Sequence, residues 1–305
     1  MRKVSAIIVN WNAREDTREC LASLVRSSHR ELETILIDNA SADGSVDYLK
    51  SLFPATVFVS NATNEGFARA SNAGMRLALD RGADYVFLFN NDAVADERAV
   101  ERLVAAMEES REVGLAGPKI FYFSKKDTIW SAGGEVDFWK GMTRHRGIRK
   151  PDSPAFSGRA DVDYLTGCAL MARRELVEKV GMLDTSYRMY GEDADWCLRA
   201  GKAGYRVVYV PDALAWHKVS LSSGGEFSPS KVYNKTMSNV LLFSRHARPY
   251  HWLTIPFFGA GYLVWLFVKG LAKGDLKLPG AVFRALTDMM RPGRGPERGG
   301  RAPRR

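Results

Sequence analysis

Short apolar runs alternate with amphipathic stretches over the first 92 residues. Val4–Val9 (VSAIIV) breaks off at Asn10 and reads as a buried strand. Its six residues are too few for the apolar segment of a secretion signal. Asp16–Arg26 sets Cys20, Leu21, Leu24 and Val25 on one helical face. Thr34–Ile37 (TILI) predicts a second strand that ends in Asp38. Ser45–Leu52 predicts a helix and Val57–Ser60 a short strand. Gly66–Arg81 carries Ala70, Ala73, Met75, Leu77 and Ala78 at helical spacing, and Tyr85–Phe89 (YVFLF) is an all-apolar strand ending in Asn90, Asn91 and Asp92. This alternation predicts an α/β fold, a mostly parallel central sheet with helices on both faces. Ligands of such sheets sit at the carboxyl ends of the strands, which is where Asn10, Asp38 and residues 90–92 collect.

The pattern then loosens. Glu97–Glu109 predicts a helix and Leu115–Phe121 a strand, while Ser124–Arg159 is polar and poorly periodic and reads as loops with a hairpin. Order returns at Val162–Leu165. A helix over Arg174–Val180 ends at Gly181, a second covers Asp193–Lys202, and the strand Val207–Val210 is expected to stop at Pro211. Ser222–Ser230 reads as a small polar loop. From Lys231 the composition shifts to helix formers, and Trp252–Val268 is a run of seventeen residues without a charge. The last fifteen residues are low in complexity and are expected to be disordered. The domain expectation is therefore residues 1–230, divided near residue 92, then a helical region over 231–290 and a basic tail over 291–305.

Composition narrows the classes. The 305 residues are 46% hydrophobic and 26% charged, the balance of a folded protein. Three widely spaced cysteines (Cys20, Cys168, Cys197), with no C-x-x-C pair, argue against a disulfide framework and a cysteine-built zinc site. The net charge is +9, but Lys269–Arg305 alone holds ten Lys or Arg against three Asp or Glu. The globular part is close to neutral, which argues against a nucleic-acid binder.

Several motifs bear on chemistry. The turn after the first strand, NWNARED, has no glycine, and no G-x-x-x-x-G-K-[ST] occurs, so nicotinamide-dinucleotide and P-loop chemistry are disfavoured. In FLFNNDAV, Asp92 flanked by Asn90 and Asn91 suits either a divalent cation that bridges a diphosphate or a plain turn that caps the next helix. Asp38 ends a buried strand at the same edge, placed to accept hydrogen bonds from a base or ribose. NEGFARASNAG offers Gly66 and small residues for close approach of a ligand, though a tightly packed helix has the same look. Glu192, Asp193 and Asp195 crowd one helix start. They complement the helix dipole, and crowded carboxylates also supply a general base with a raised pKa. Asp195 and Arg199 are spaced as an i,i+4 pair, a structural arrangement. His217 reads equally as a metal ligand or a satisfied imidazole.

In order and spacing, VSAIIVNWN, LIDNASADGS, NEGFARASNAGM, FLFNND and GMLDTSYRMYGEDADWCLRAGKAGYRVVYVPDALAWH resemble the inverting glycosyltransferases of family 2, and among them the bacterial rhamnosyltransferase-like branch. The likeness runs from about Val4 to Ser223. It implies a GT-A fold with a nucleotide-binding half (1–92) and an acceptor half (93–230). It further implies that Asp38 reads the nucleotide base, that Asn64, Gly66, Asn72 and Asn91 line the nucleotide, and that Asp92 with His217 holds a divalent cation (Mn or Mg). Asn90 stands where the family has the first aspartate of its D-x-D metal motif. Asp193 is implied as the general base with Glu192 beside it, and Trp196 and Gly167 as contacts of the acceptor. The implied partners are a nucleotide-sugar donor and a glycan or lipid-linked acceptor, and the setting is cell-surface polysaccharide synthesis.

Two rival readings remain at this level: a nucleotide-binding or scaffolding protein without catalysis, opposed by the intact Glu192–Asp193 pair, and a nucleotidyltransferase, opposed by the glycine-free first turn. The uncharged run Trp252–Val268 is at the lower limit for crossing a ~30 Å hydrocarbon core. Pro256, Gly259 and Gly261 make it a poor continuous helix. A donor site in the cytosol and a basic tail both favour the same side of the membrane. The expectation is thus a re-entrant or interfacial segment on the cytoplasmic face of the inner membrane, with the Arg-rich tail on anionic lipid.

Overall fold

The computed structural model describes residues 1–187, 189–219, 228–272 and 277–289. The loop expected at Ser222–Ser230 lies largely outside the described residues, and the basic tail over 291–305 lies wholly outside them. The chain divides into two compact units. The first comprises residues 1–136, 143–185 and 192–220; the second comprises 137–142, 186–191 and 221–305.

The first unit begins with the predicted alternation. Strand β1 (Val4–Asn10) leads to α1 (Arg14–Val25), β2 (Leu32–Asp38), α2 (Ser45–Leu52), β3 (Val57–Ser60), α3 (Phe67–Asp80) and β4 (Tyr85–Phe89). The four strands pair in parallel in the order β3-β2-β1-β4, with Asn10 directly opposite Asp38. Their residues are apolar on both faces because helices cover both faces. Helix α3 lies very close to the sheet. A Cβ on Gly74 would meet Ile7 Cγ2 at 2.5 Å and Ile37 Cγ1 at 3.3 Å. Gly74→Ala is therefore expected to destabilise the protein by about 1–3 kcal/mol through overpacking, read as a lower urea midpoint with an unchanged slope.

Beyond β4 come β5 (Ala93–Ala95), α4 (Ala99–Glu108), β6 (Val113–Tyr122) and β7 (Lys125–Ser131). They are followed by β8 (Gly134–Asp137) and β9 (Met142–His145), which form a two-stranded sheet, and by β10 (Ala160–Asp161). Three strands thus stand where the sequence reads as loops with a hairpin. Strand β11 (Ala169–Arg173) has no counterpart in the sequence reading, which placed the return of order at Val162–Leu165. It runs antiparallel between β4 and β6 and is buried on both faces, so its five residues show no alternation. Helices α5 (Arg174–Val180) and α6 (Glu192–Lys202) and strand β12 (Arg206–His217) complete the unit. Gly181 ends α5 at φ 85°, a conformation that favours glycine.

Strand β12 does not stop at Pro211. Its register against β6 shifts between Val210 and Leu214, so the proline sits in an irregularity where no ladder N–H is required. The strand continues to His217, paired with Ala93 of β5 and Tyr122 of β6.

The described part of the second unit is mainly helical: α7 (Pro229–His246), α8 (Ile255–Ala272) and α9 (Lys277–Met289). Helix α8 corrects the expectation of a broken segment. It is continuous because Pro256 occupies the first turn, where a missing N–H costs nothing. Its eighteen residues have a mean hydropathy of 1.5, and 11% of that window is buried. Leu266 packs with Val232 of α7 and with Leu278, Ala281 and Val282 of α9. Phe257, Val264, Val268 and Leu271 stay exposed.

Candidate active site

The ends of β1, β2 and β4 are tied by one buried hydrogen-bond chain. Asn10 Nδ2 donates to Asp38 Oδ1 at 2.8 Å, and the Ser41 N–H donates to Asp38 Oδ2 at 2.9 Å. The Thr17 hydroxyl of α1 donates to Asn10 Oδ1 at 2.7 Å, and Asn91 Nδ2 donates to Thr17 Oγ1 at 3.1 Å. Asp38 is thereby oriented at the sheet edge, and Asn91 is held by α1. Thr17 escaped the sequence reading because a lone threonine on a helix carries no signal.

A second missed residue is Asn39. Its Nδ2 donates to Asn64 Oδ1 at 2.9 Å, while its Oδ1 accepts from Asn61 Nδ2 and the Glu65 N–H, both at 3.0 Å. Asn64 Oδ1 also accepts the Gly66 N–H at 2.9 Å. This network shapes the loop into α3, where Gly66 adopts φ 80°, ψ 170° and faces open space. Only glycine holds that conformation without strain. Asn72 takes another role. Its amide exchanges two hydrogen bonds with the Leu183 backbone, at 2.8 and 3.1 Å. Its amide thereby ties α3 to the segment after α5.

The register of β12 against β5 sets His217 opposite Ala93 and so beside Asp92. His217 Nε2 lies 3.0 Å from Asp92 Oδ1, and both side chains are largely buried. The imidazole meets the Trp130 ring edge-on at 4.4 Å between centroids, and its Nδ1 is buried without a partner among the described residues. No cluster of three or more His, Cys, Asp or Glu suited to a metal occurs among the described residues. One carboxylate and one imidazole do fit a Mn²⁺ or Mg²⁺ ion that takes its remaining ligands from phosphate oxygens and water. The Lys218 N–H donates to the Asp92 carbonyl at 2.9 Å, and its ammonium pairs with Asp16 and Glu19 at 2.7 and 2.8 Å.

At the start of α6 the two neighbouring acids differ. Asp193 Oδ2 accepts the Gly167 N–H at 2.9 Å and Oδ1 accepts the Ala194 N–H at 2.8 Å. Glu192 is 7% exposed, and its Oε2 has no hydrogen-bond partner among the described residues. Burial, with the Asp193 charge beside it, pushes the Glu192 carboxyl up to about 8. Burial also raises Asp193, against the pull of the Gly167 and Ala194 N–H groups. A carboxyl raised in the folded state stabilises the fold while protonated, and that contribution is lost as pH climbs from about 4.5 towards about 8. Glu192→Gln removes the loss. The variant should match wild type in urea denaturation at pH 5 and exceed it at pH 8.

The other acid is structural, as its spacing implied. Asp195 pairs with Arg199 at 2.7 Å, and Arg199 also donates to the Val180 and Met182 carbonyls. Trp196 requires a correction. It is fully buried and its indole N–H donates to the Gly181 carbonyl at 2.8 Å, so it has no surface against which an acceptor could pack. Gly167 is also buried, beside Asp193 and the ring of Phe67. Cys20, Cys168 and Cys197 are free and buried, and burial raises each thiol.

Comparison with known proteins adds to this geometry. Residues 5–181 match the family model described as Glycosyl transferase family 2. An N-acetylglucosaminyl-diphospho-decaprenol L-rhamnosyltransferase of Mycobacterium tuberculosis is 27% identical over 79% of this chain and 84% of its own length. A dTDP-rhamnosyl transferase of Shigella flexneri is 23% identical over 71% of this chain and 69% of its own. A mannosyltransferase from Pyrobaculum calidifontis, solved with GDP-Man and Mn²⁺, has a TM-score of 0.59 at 17% identity. It covers 96% of this chain and 77% of its own, a likeness of fold.

Proposed function

The chain belongs to glycosyl transferase family 2, with a GT-A fold, and from that premise we propose that it transfers rhamnose from dTDP-rhamnose, with inversion, to a hydroxyl of a sugar carried on a lipid diphosphate. The observation that carries the mechanism is the unequal environment of the two acids on α6. The backbone N–H groups of Gly167 and Ala194 favour the charged form of Asp193, while buried Glu192, whose Oε2 has no partner among the described residues, favours the proton. Asp193 is then the base. It takes the proton of the acceptor hydroxyl, the freed oxygen attacks the anomeric carbon from the face opposite the diphosphate, and the bond from that carbon to the nucleotide diphosphate breaks. Asp38, braced by Asn10 and Ser41, is placed to accept from the base or ribose of the donor. Asp92 and His217 would hold a divalent cation, which supplies charge neutralisation for the donor diphosphate.

The donor and acceptor classes are supported by the printed activities of the two relatives. The test is a panel of nucleotide sugars with N-acetylglucosaminyl-diphospho-lipid as acceptor, with and without Mn²⁺, scored for product and for anomeric configuration. Transfer from dTDP-rhamnose with inversion is expected. Retention, or transfer only from a different nucleotide sugar, would replace this reading.

Helix α8 supports a position on the cytoplasmic face of the inner membrane. Its eighteen residues span about 27 Å and its exposed side chains are large and apolar. Lying in the interface, it would keep the donor site and the basic tail on one side. The protein should pellet with anionic liposomes, and Phe257→Asp with Val264→Asp should release it. Cysteines placed at residues 245 and 295 should both be shielded from an impermeant reagent outside the cell; labelling of the tail site alone would show a single span.

A further inference from the structure

A groove of about 340 Å³ runs along the outer face of α3, lined by Asn61, Arg69, Ala73, Arg76 and Thr185, with Glu65 also on its wall. Arg69 and Arg76 are two turns apart and so share a face of the helix. Arginines elsewhere in the unit hold carboxylates: Arg81 pairs with Glu33, Arg174 with Glu178, Arg199 with Asp195 and Arg206 with Asp161. Among the described residues no such ion pair forms at Arg69 or Arg76. Arg76 Nη1 lies 4.0 Å from the Met182 sulfur. The one acid in the groove, Glu65, accepts the Thr63 hydroxyl at 2.6 Å. Two guanidinium groups outside any ion pair among the described residues, in a groove where Glu65 offsets only one of their two charges, form a site for phosphoryl oxygens, which arginine can bind in a bidentate manner.

The groove is also placed with respect to the chemistry. Phe67, in the first turn of α3, lies against Gly167, whose N–H holds Asp193. Along the helix Arg69 is ~3 Å beyond Phe67 and Arg76 ~13 Å beyond it. The opposite wall is fixed, because Asn72 locks Leu183 and so the stretch that ends in Thr185. The groove therefore begins at the end of α3 that meets Gly167, on the face of the helix turned away from Phe67.

We propose that this groove binds the diphosphate of the lipid-linked acceptor through Arg69 and Arg76, and that it makes the enzyme prefer acceptors carrying a diphosphate; the proposal rests on Asp193 as base and on a lipid-diphosphate sugar as acceptor. Two measurements test it with the full chain. The first compares N-acetylglucosaminyl-diphospho-lipid with an uncharged N-acetylglucosaminyl alkyl glycoside. In Arg69→Ala/Arg76→Ala, KM for the diphosphate acceptor should rise at least about tenfold, with donor KM and the response to the neutral acceptor unchanged. An unchanged KM, an equal loss on both acceptors, or a rise in donor KM overturns the proposal. The second titrates farnesyl diphosphate into protein saturated with dTDP and Mn²⁺. Binding at least about tenfold weaker in the double variant supports the groove even if no sugar transfer is found, and that combination strikes only the acceptor class named under the proposed function. Release of the double variant from phosphatidylglycerol vesicles, with farnesyl diphosphate binding unchanged, overturns it in favour of lipid headgroups. Both arginines are exposed, so thermal midpoints should stay at the wild-type value and separate lost binding from lost fold.

Discussion

Asp193→Asn is expected to lower kcat by about 10²–10⁴-fold, the range for loss of a general base, while the fold and donor binding persist. The amide keeps one oxygen to accept the Gly167 or Ala194 N–H, and the helix start keeps its shape. What disappears is the site for the proton. The pH profile gives a second readout. Burial raises the Asp193 carboxyl, so wild-type kcat should climb with pH through that raised value, and the variant should lose this limb. Glu192→Gln is the control. Glu192 is proposed to be protonated at neutral pH, so its amide should retain most of the activity. A dead Glu192→Gln beside an active Asp193→Asn would move the base by one residue.

The second large effect is expected at Asp92. Asp92→Ala should cut kcat/KM by about 10²–10³-fold, the scale of a lost metal-ion contribution, and should abolish the response to added Mn²⁺. Excess EDTA should bring wild type to the same level without further harm to the variant. His217→Ala should lie between the two, since the carboxylate brings the charge and the imidazole only a neutral donor. Asp92→Asn guards against a folding artefact, because it keeps a partner for His217 at the 3.0 Å contact. Full wild-type activity in EDTA would assign the Asp92–His217 pair to structure alone.

The sequence was most legible where elements are long and local. The first four strands and their helices follow from apolar runs punctuated by polar residues, and the helix stop at Gly181 follows from its chemistry. The candidate site was legible at Asp38, Asp92, Asp193 and His217, because carboxylates and imidazoles at strand and helix ends are conspicuous. It was not legible where the partner lies far along the chain. Strand β11 is short and buried on both sides, so it has no period to detect. Asn72 reads like a ligand residue until Leu183, 111 positions away, occupies its amide. Trp196 stands as an acceptor contact by resemblance until its full burial and its bond to the Gly181 carbonyl are seen. Pro211 reads like a strand end until the register of β12 shows an irregularity that needs no donor there.

The placement of β11 has a consequence for how the molecule is made. The four N-terminal parallel strands are complete by Phe89, yet the free edge of β4 is closed only by Ala169–Arg173, some eighty residues later. During synthesis at about 5–20 residues per second, that edge stays open for seconds, with five buried apolar residues and unpaired backbone groups on show. Contacts of such long sequence separation also form late and slow the whole reaction. Asp193, the proposed base, and His217 emerge later still. A nascent chain therefore holds Asp38 and the four strands around it before it holds Asp193 or His217, and the strand that closes their open edge is the one whose flanking turn carries Gly167.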